Sequence, residues 1–169
     1  WNEVRKERVL DAAGHPYVVW SLADVLRFLS GRGLINVEIK PLSAETRSGG
    51  VAAIYEELTK TRPRESVLVS SFDSEVLTVV RRLDAAMAIG FLFSELRAFN
   101  HLEEDPVVEF LTALHPRENL IDLKLMKRAK ERGLQVNAWT VNDKKRARAL
   151  VELGVHAVVT DRPEDVPVW

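Results

Sequence analysis

Apolar positions along the chain recur with two periods, and the switch between them divides it into short strands and amphipathic helices. Ser21-Leu22-Ala23-Asp24 has the spacing of a capping box, and Leu22, Val25, Leu26 and Leu29 follow on one helical face before Gly31 and Gly33 stop the pattern. Residues 50–60 carry Val51, Ile54, Tyr55 and Leu58 at the same period. Asp73 can cap a helix bearing Val76, Leu77, Val80 and Leu83. Segments 122–132 (Leu123, Met126, Ala129) and 143–153 (Ala147, Leu150, Val151) close at Gly133 and Gly154. Residues 95–105 carry a weaker pattern, part helix and part loop. Between the helices lie six apolar runs that read as strands: 34–40, Ser66–Ser71, Ala86–Phe91, Phe110–His115, Gln135–Val141 and His156–Thr160. Upstream, Val4–Leu10 reads as a short helix and Gly14-His15-Pro16 as a turn.

Strands separated by helices, at steps of roughly 20 to 30 residues, predict parallel βα units with right-handed crossovers. Two architectures accommodate six of them: an open doubly wound sheet, or a (βα)8 barrel lacking two units. A barrel takes eight strands and about 250 residues. A Rossmann-type sheet calls for a Gly-rich turn after a strand, and none occurs.

Composition narrows the function classes. At 169 residues the chain is expected to form a single domain, 1–169, with a sizeable core. Its 24 basic and 25 acidic residues nearly cancel, so neither nucleic acid nor an acidic membrane surface is an expected partner. No run of about 18 apolar residues predicts a membrane span. No signal-peptide pattern opens the chain, and the cytoplasm is the favoured compartment. The absence of cysteine excludes disulfides, thiolate zinc sites and a thiol nucleophile. The opening residue is Trp1 rather than Met, as in a processed or truncated chain.

One strand breaks the apolar rule. In Asn36-Val37-Glu38-Ile39-Lys40, alternation sends Asn36, Glu38 and Lys40 to one face and Val37 and Ile39 to the other. A strand covered on both faces would be nearly continuously apolar, and burying a carboxylate and an ammonium costs several kcal/mol unless each finds a partner. A site that binds a cation and an anion supplies such partners; an ordinary Glu–Lys pair on a half-exposed strand is the other reading.

In both architectures ligands bind at the carboxyl ends of the strands. Those ends read Glu38-Ile39-Lys40-Pro41, Ser70-Ser71-Phe72-Asp73, Gly90-Phe91-Leu92, His115-Pro116, Trp139-Thr140-Val141-Asn142 and Thr160-Asp161-Arg162-Pro163. Polar and aromatic residues collect there, which a purely structural sheet does not require. Plainer roles compete for each. Ser70 and Ser71 can satisfy backbone groups, Asp73 and Asn142 or Asp143 can cap helices, and Asp161 fits a turn. His115 reads equally as structural. A lone Trp139 suits a core, but it shares a strand face with Asn137, and that mixed face favours a cavity. His15, His101 and His156 lack acidic or histidine partners at useful spacing and read as surface or structural. The basic runs around Lys124 to Lys130 and Lys144 to Arg146 read as solvated helix faces.

Taken in order, these strand ends resemble the glycerophosphodiester phosphodiesterase family. The matching segments are Asn36-Val37-Glu38-Ile39-Lys40, Val69-Ser70-Ser71-Phe72-Asp73, Gly133-Leu134-Gln135-Val136-Asn137-Ala138-Trp139-Thr140-Val141-Asn142 and Gly154-Val155-His156-Ala157-Val158-Val159-Thr160-Asp161-Arg162-Pro163. Upstream, Val19 to Leu26 looks like the family's lead into its third barrel strand. The resemblance spans about residues 20 to 167. It implies an α/β fold, a (βα)8 TIM barrel of the phospholipase-C-like phosphodiesterase type with about six of eight βα units in this chain.

The same resemblance implies metal-assisted hydrolysis of a small-molecule glycerophosphodiester to glycerol 3-phosphate and an alcohol. Glu38 matches a ligand to a divalent cation, Mg²⁺ or Ca²⁺, and Lys40 matches the position facing the substrate phosphate. Phe72 and Trp139 look like pocket walls, and His115 joins them as a substrate-binding candidate. The family's opening segments, His-Arg-Gly, Glu-x-Asp and His-Asp, have no counterpart here, so the acid/base histidines are expected on a preceding segment or a complementary chain. No catalytic residue is then assigned within these residues, the chain alone is expected to be inactive, and homo-oligomerisation is open to it. The alternative is a non-catalytic module, derived from the same barrel, that binds phosphorylated ligands or a protein.

Overall fold

A computed structural model describes residues 9–10, 14–102 and 104–166. β1 (Val9–Leu10) and β2 (Pro16–Tyr17) form a small antiparallel pair. Then follow α1 (Leu22–Phe28), β3 (Ile35–Glu38), α2 (Ala44–Thr61), β4 (Val67–Ser71), α3 (Ser74–Leu83), β5 (Ala88–Phe93) and α4 (Leu96–Leu102). The remainder is β6 (Ala113–Pro116), α5 (Leu123–Glu131), β7 (Gln135–Ala138), α6 (Lys144–Glu152) and β8 (Ala157–Val158). β3 through β8 lie side by side in chain order, every neighbouring pair parallel. One helix makes each crossover. Unbroken sequential order is the barrel pattern; a doubly wound sheet reverses its order at a switch point. The six strands form a curled part-barrel.

Register sorts the side chains between two faces. The pairs Glu38↔Ser70, Ser70↔Gly90, Gly90↔Ala113 and Ala113↔Gln135 place Asn36, Glu38, Leu68, Ser70, Ala88, Gly90, Ala113, His115, Gln135 and Asn137 on one face. Val37, Val69, Ile89, Leu114, Val136 and Val158 point the other way. There they pack with Leu58, Leu77, Phe99, Leu125 and Leu150 from the helices. Leu68, Leu92 and Ala113 stay outside that cluster. The hydrophobic core therefore lies between sheet and helices, where each buried Leu, Ile or Val contributes roughly 1.5–3 kcal/mol.

Helix starts follow the caps. Ser21 Oγ accepts from Asp24 N (3.1 Å) while the Asp24 carboxylate accepts from Ser21 N (3.3 Å), completing the capping box of α1. Asp73, Asp122 and Asp143 accept from Glu75 N, Leu125 N and Arg146 N to start α3, α5 and α6. Gly133 and Gly154, at φ +66° and +93°, end α5 and α6 in the left-handed conformation that glycine adopts without cost.

The structure corrects several expected boundaries. Val9–Leu10, expected to end a short helix, is a strand, and residues 4–8 of that segment lie outside the described residues. The helix expected over 50–60 begins at Ala44, because Gly49 and Gly50 sit inside it rather than before it. A side-chain atom on Gly50 would come 3.1 Å from Leu42 Cδ1, so close packing of the preceding loop offsets the poor helix propensity of glycine. The strand expected to start at Phe110 starts at Ala113: Asp105 accepts from Val107 N and Pro106 opens a 3₁₀ turn that occupies Pro106–Phe110. The strand expected over Ala86–Phe91 runs over Ala88–Phe93. Among the described residues no helix is long and apolar enough to cross a membrane.

Candidate functional site

The carboxyl end of β3 carries the charged pair. Lys40 Nζ donates to Glu38 Oε1 at 2.6 Å, with the Lys40 side chain 75% exposed and that of Glu38 33% exposed. Such a solvated pair is worth well under 1 kcal/mol to the fold. The local backbone holds it in place. Ile39 N donates to Ser70 O (2.8 Å), extending the ladder past the end of β3, and the buried Ser71 Oγ donates to Ile39 O (2.7 Å) and accepts from Asp73 N (3.1 Å). Ser71 thus fixes the turn that presents Lys40. Glu38 shares the concave face with Ser70, His115 and Asn137 rather than facing away from the other strand ends.

At the middle of that face lies a buried polar group. Gly90 of β5 is flanked by Ser70 of β4 and by the His115 ring of β6. A Cβ at position 90 would sit 2.5 Å from His115 Nε2, so only glycine leaves room for the ring. Asn137 of β7 lies 3.1 Å from His115 Nε2 through Nδ2. The amide nitrogen can only donate, so Nε2 accepts and the ring proton resides on Nδ1. Burial pushes the His115 pKa down to about 4, against the attraction of the Glu38 carboxylate, and keeps the ring neutral at physiological pH. Ser70 Oγ, His115 Nδ1 and Asn137 Oδ1 are all buried without a protein partner.

Two aromatic side chains meet just beyond the strand ends. Trp139 Nε1 donates to His115 O (2.6 Å), and the Trp139 ring meets Phe72 edge to face, with centroids 5.5 Å apart at 84°. The pair joins the ends of β4 and β7 across the two strands between them. Phe72 remains 37% exposed, so the pair offers an accessible apolar wall.

The remaining strand-end residues take structural roles. Asp73 is a cap, as the spacing predicted, and of the two candidates Asn142 and Asp143 it is Asp143 that caps α6. Asn142 joins the ends of β7 and β8 instead: Oδ1 accepts from Asp161 N (2.9 Å) and Thr160 Oγ1 (3.0 Å), and Nδ2 donates to Asp161 Oδ2 (3.0 Å). His15, His101 and His156 are exposed. Among the described residues no three His, Cys, Asp or Glu side chains cluster closely enough to share a metal ion. A hard divalent cation takes six or more oxygen ligands, and Glu38 supplies one carboxylate already bonded to Lys40, so the described residues do not form a complete cation site. A cavity of about 600 Å³, lined by Met126, Gly133, Leu134, Gly154 and His156, lies at the opposite, amino-terminal ends of β7 and β8, away from these groups.

Parallel strands in barrel order, with helices packed on one face, define part of a TIM barrel, and polar and aromatic groups gather at the strand ends where that fold binds its ligands. Residues 1–165 match the Glycerophosphoryl diester phosphodiesterase family, and the chain belongs to it. It is 30% identical over 139 residues to a glycerophosphodiester phosphodiesterase of Caldanaerobacter subterraneus, covering 78% of this chain and 53% of that protein. Identity to an uncharacterised protein of Mycoplasma genitalium is 27% over 139 residues, covering 80% and 56% respectively. The solved phosphodiesterase of Oleispira antarctica, in complex with the product sn-glycerol-3-phosphate, superposes with a TM-score of 0.71 at 27% identity, covering 86% of this chain and 58% of that one. A glycerophosphodiester phosphodiesterase of Parabacteroides distasonis gives a TM-score of 0.76 at 19% identity, over 96% and 67%. The chain spans about half the length of the curated relatives it matches.

Sequence reasoning placed Glu38, Lys40, Phe72, His115 and Trp139 at strand ends, and all five lie at or just beyond the carboxyl ends of β3, β4, β6 and β7. It undervalued Ser70, treated like Ser71 as a satisfier of backbone groups; only Ser71 does that. It passed over Gly90. A glycine inside an otherwise apolar strand signals a close approach by another group, and that was the available clue.

Proposed function

We propose that this chain is the carboxyl-terminal part of a barrel that hydrolyses glycerophosphodiesters to glycerol 3-phosphate and an alcohol. The reading is supported by the Glu38–Lys40 pair at the carboxyl end of β3, on the same end of the sheet as His115, Phe72 and Trp139. Lys40, exposed on a flexible stem, offers a positive charge to a phosphodiester and to the charge that builds on its oxygens during in-line displacement. Phe72 and Trp139 form the apolar wall against the carbon skeleton of the glycerol or the alcohol, and His115 lies beneath them as a neutral binding group. In the whole protein Glu38 contributes one ligand to a divalent cation, Mg²⁺ or Ca²⁺, whose other ligands come from outside these residues. That ion would polarise a phosphoryl oxygen. The acid/base groups likewise belong to the part of the barrel that this chain does not supply, so 1–169 acts as one portion of a single domain and is inactive alone.

The test is Glu38→Ala in the full-length protein, with release of glycerol 3-phosphate from glycerophosphocholine as the readout. We expect a loss on the order of a thousand-fold, since an electrostatic group at the reacting phosphate is removed. Unchanged hydrolysis would sink the assignment. A second reading, a non-catalytic module for phosphorylated ligands, draws on the single carboxylate at the site; it predicts binding of glycerol 3-phosphate with no hydrolysis in the wild-type protein at any added Mg²⁺ or Ca²⁺ concentration.

A further inference from the structure

We propose that Arg47, near the start of α2, is a positioning residue for the hydrolysis: it locks the turn that carries Lys40 to the turn that carries Phe72. The inference rests on the phosphodiesterase reading above and adds to it a side chain that acts only through others.

The Lys40 side chain is 75% exposed and bonds Glu38, and a solvated pair of that kind holds a long flexible stem weakly. The backbone beneath therefore sets where its ammonium stands. That backbone is a short span, Lys40-Pro41, between two anchored carbonyls. Ile39 O accepts from Ser71 Oγ (2.7 Å), and Leu42 O accepts from Arg47 Nη2 (3.3 Å). Pro41 stiffens the span by fixing its own φ and confining Lys40 to extended conformations.

Both anchors converge on Asp73. Its amide donates to Ser71 Oγ (3.1 Å), and its Oδ2 lies 3.5 Å from the same Arg47 Nη2. Capping α3 uses only the other oxygen, Oδ1, which accepts from Glu75 N (2.9 Å). The second terminal nitrogen of Arg47 pairs with Glu75. Asp73 directly follows Phe72, so the circuit Ile39–Ser71–Asp73–Arg47–Leu42 joins the charged turn after β3 to the aromatic turn after β4. The Arg47 and Asp73 side chains are 20% and 18% exposed, so water and salt screen their attraction less than that of Glu38 and Lys40. One planar guanidinium reaches a carbonyl and two carboxylates at once, which the point charge of an ammonium does not. Misplacing a reacting group by about 1 Å can cost up to about a hundred-fold in rate, and holding Lys40 to that tolerance is what the circuit supplies.

The test is a double-mutant cycle on the full-length protein, with kcat/KM for glycerophosphocholine measured well below each variant's melting temperature. Arg47→Ala should lower kcat/KM about ten-fold and Lys40→Ala about a hundred-fold, with the double variant no worse than Lys40→Ala alone. Asp73→Asn, which keeps the cap but removes the carboxylate facing Arg47, should lower it about three-fold and likewise have no effect once Lys40 is gone. Unchanged kcat/KM in Arg47→Ala, or costs that multiply in the double variant, would overturn the positioning role while leaving the phosphodiesterase reading intact. Should Arg47→Ala not fold, unchanged kcat/KM in Asp73→Asn overturns it equally. Absence of hydrolysis in the wild-type protein, or no effect of Lys40→Ala, would overturn that reading and the inference with it.

Discussion

The two faces of the six-stranded sheet come from the same strands and obey opposite rules. The outer face is apolar almost without exception, and its one deep hydroxyl, Ser71, is fully bonded to the β3 turn. The inner face mixes Glu38, Ser70, His115 and Asn137 with small residues, and three of its buried polar atoms have no protein partner. A protein selected only for stability would have filled those positions with Leu and Val, as it did a single residue away. The difference teaches where the fold gains its free energy and where it gives some up.

The contrast can be broken by experiment. Leu114→Ala, on the outer face, should cost about 2–5 kcal/mol of stability in a denaturant titration and leave the affinity for glycerol 3-phosphate unaltered in the fraction that stays folded. If affinity falls in step with stability, the faces are not separable.

His115 provides the next largest effect. Burial in the folded protein holds its pKa down at about 4, against an ordinary imidazole value of about 6.5. Above pH 6.5 the ring is neutral in both states and contributes no pH dependence. As pH falls from 6.5 to 4 the unfolded chain takes up a proton that the folded chain refuses, so stability declines by at most about 3 kcal/mol over that window. His115→Gln should abolish that part of the acid slope, and melting temperatures at pH 7 and pH 5 would reveal it. An identical slope in the variant would show that the ring is not held neutral by burial.

Gly90→Ala is the smallest of these changes. The added methyl meets the His115 ring, and overpacking of this kind costs about 1–3 kcal/mol. The double variant Gly90→Ala, His115→Ala should recover most of that loss. Additive costs in the cycle would mean that the ring and the glycine do not touch.

Much of this was legible in the chain because the relevant physics is local. Apolar periodicity located every crossover helix, and the caps Ser21 and Asp73 could be named from spacing, with Asp143 one of two candidates, since a side chain bonds a backbone amide two or three residues ahead. Glu38 and Lys40 stood out because charge interrupts an apolar strand. Boundaries were less legible. Gly49 and Gly50 argued against a helix that tertiary packing nevertheless extends through them, and the 3₁₀ turn over Pro106–Phe110 displaced a strand start that hydrophobicity alone had placed too early.

By itself the sequence determined which residues could form strands and helices, which strand ends carried chemistry, and which family they resemble, because each is a matter of short spacing or a quoted motif. The tertiary structure decided what lies between strands. Whether Ser70 or Ser71 satisfies the backbone depends on the side of a parallel ladder each faces, and Gly90 matters only because a histidine 25 positions along the chain leans over it. Lateral register joins residues far apart in the chain, and no local periodicity encodes it; cooperative packing of the helices on one face of the sheet does.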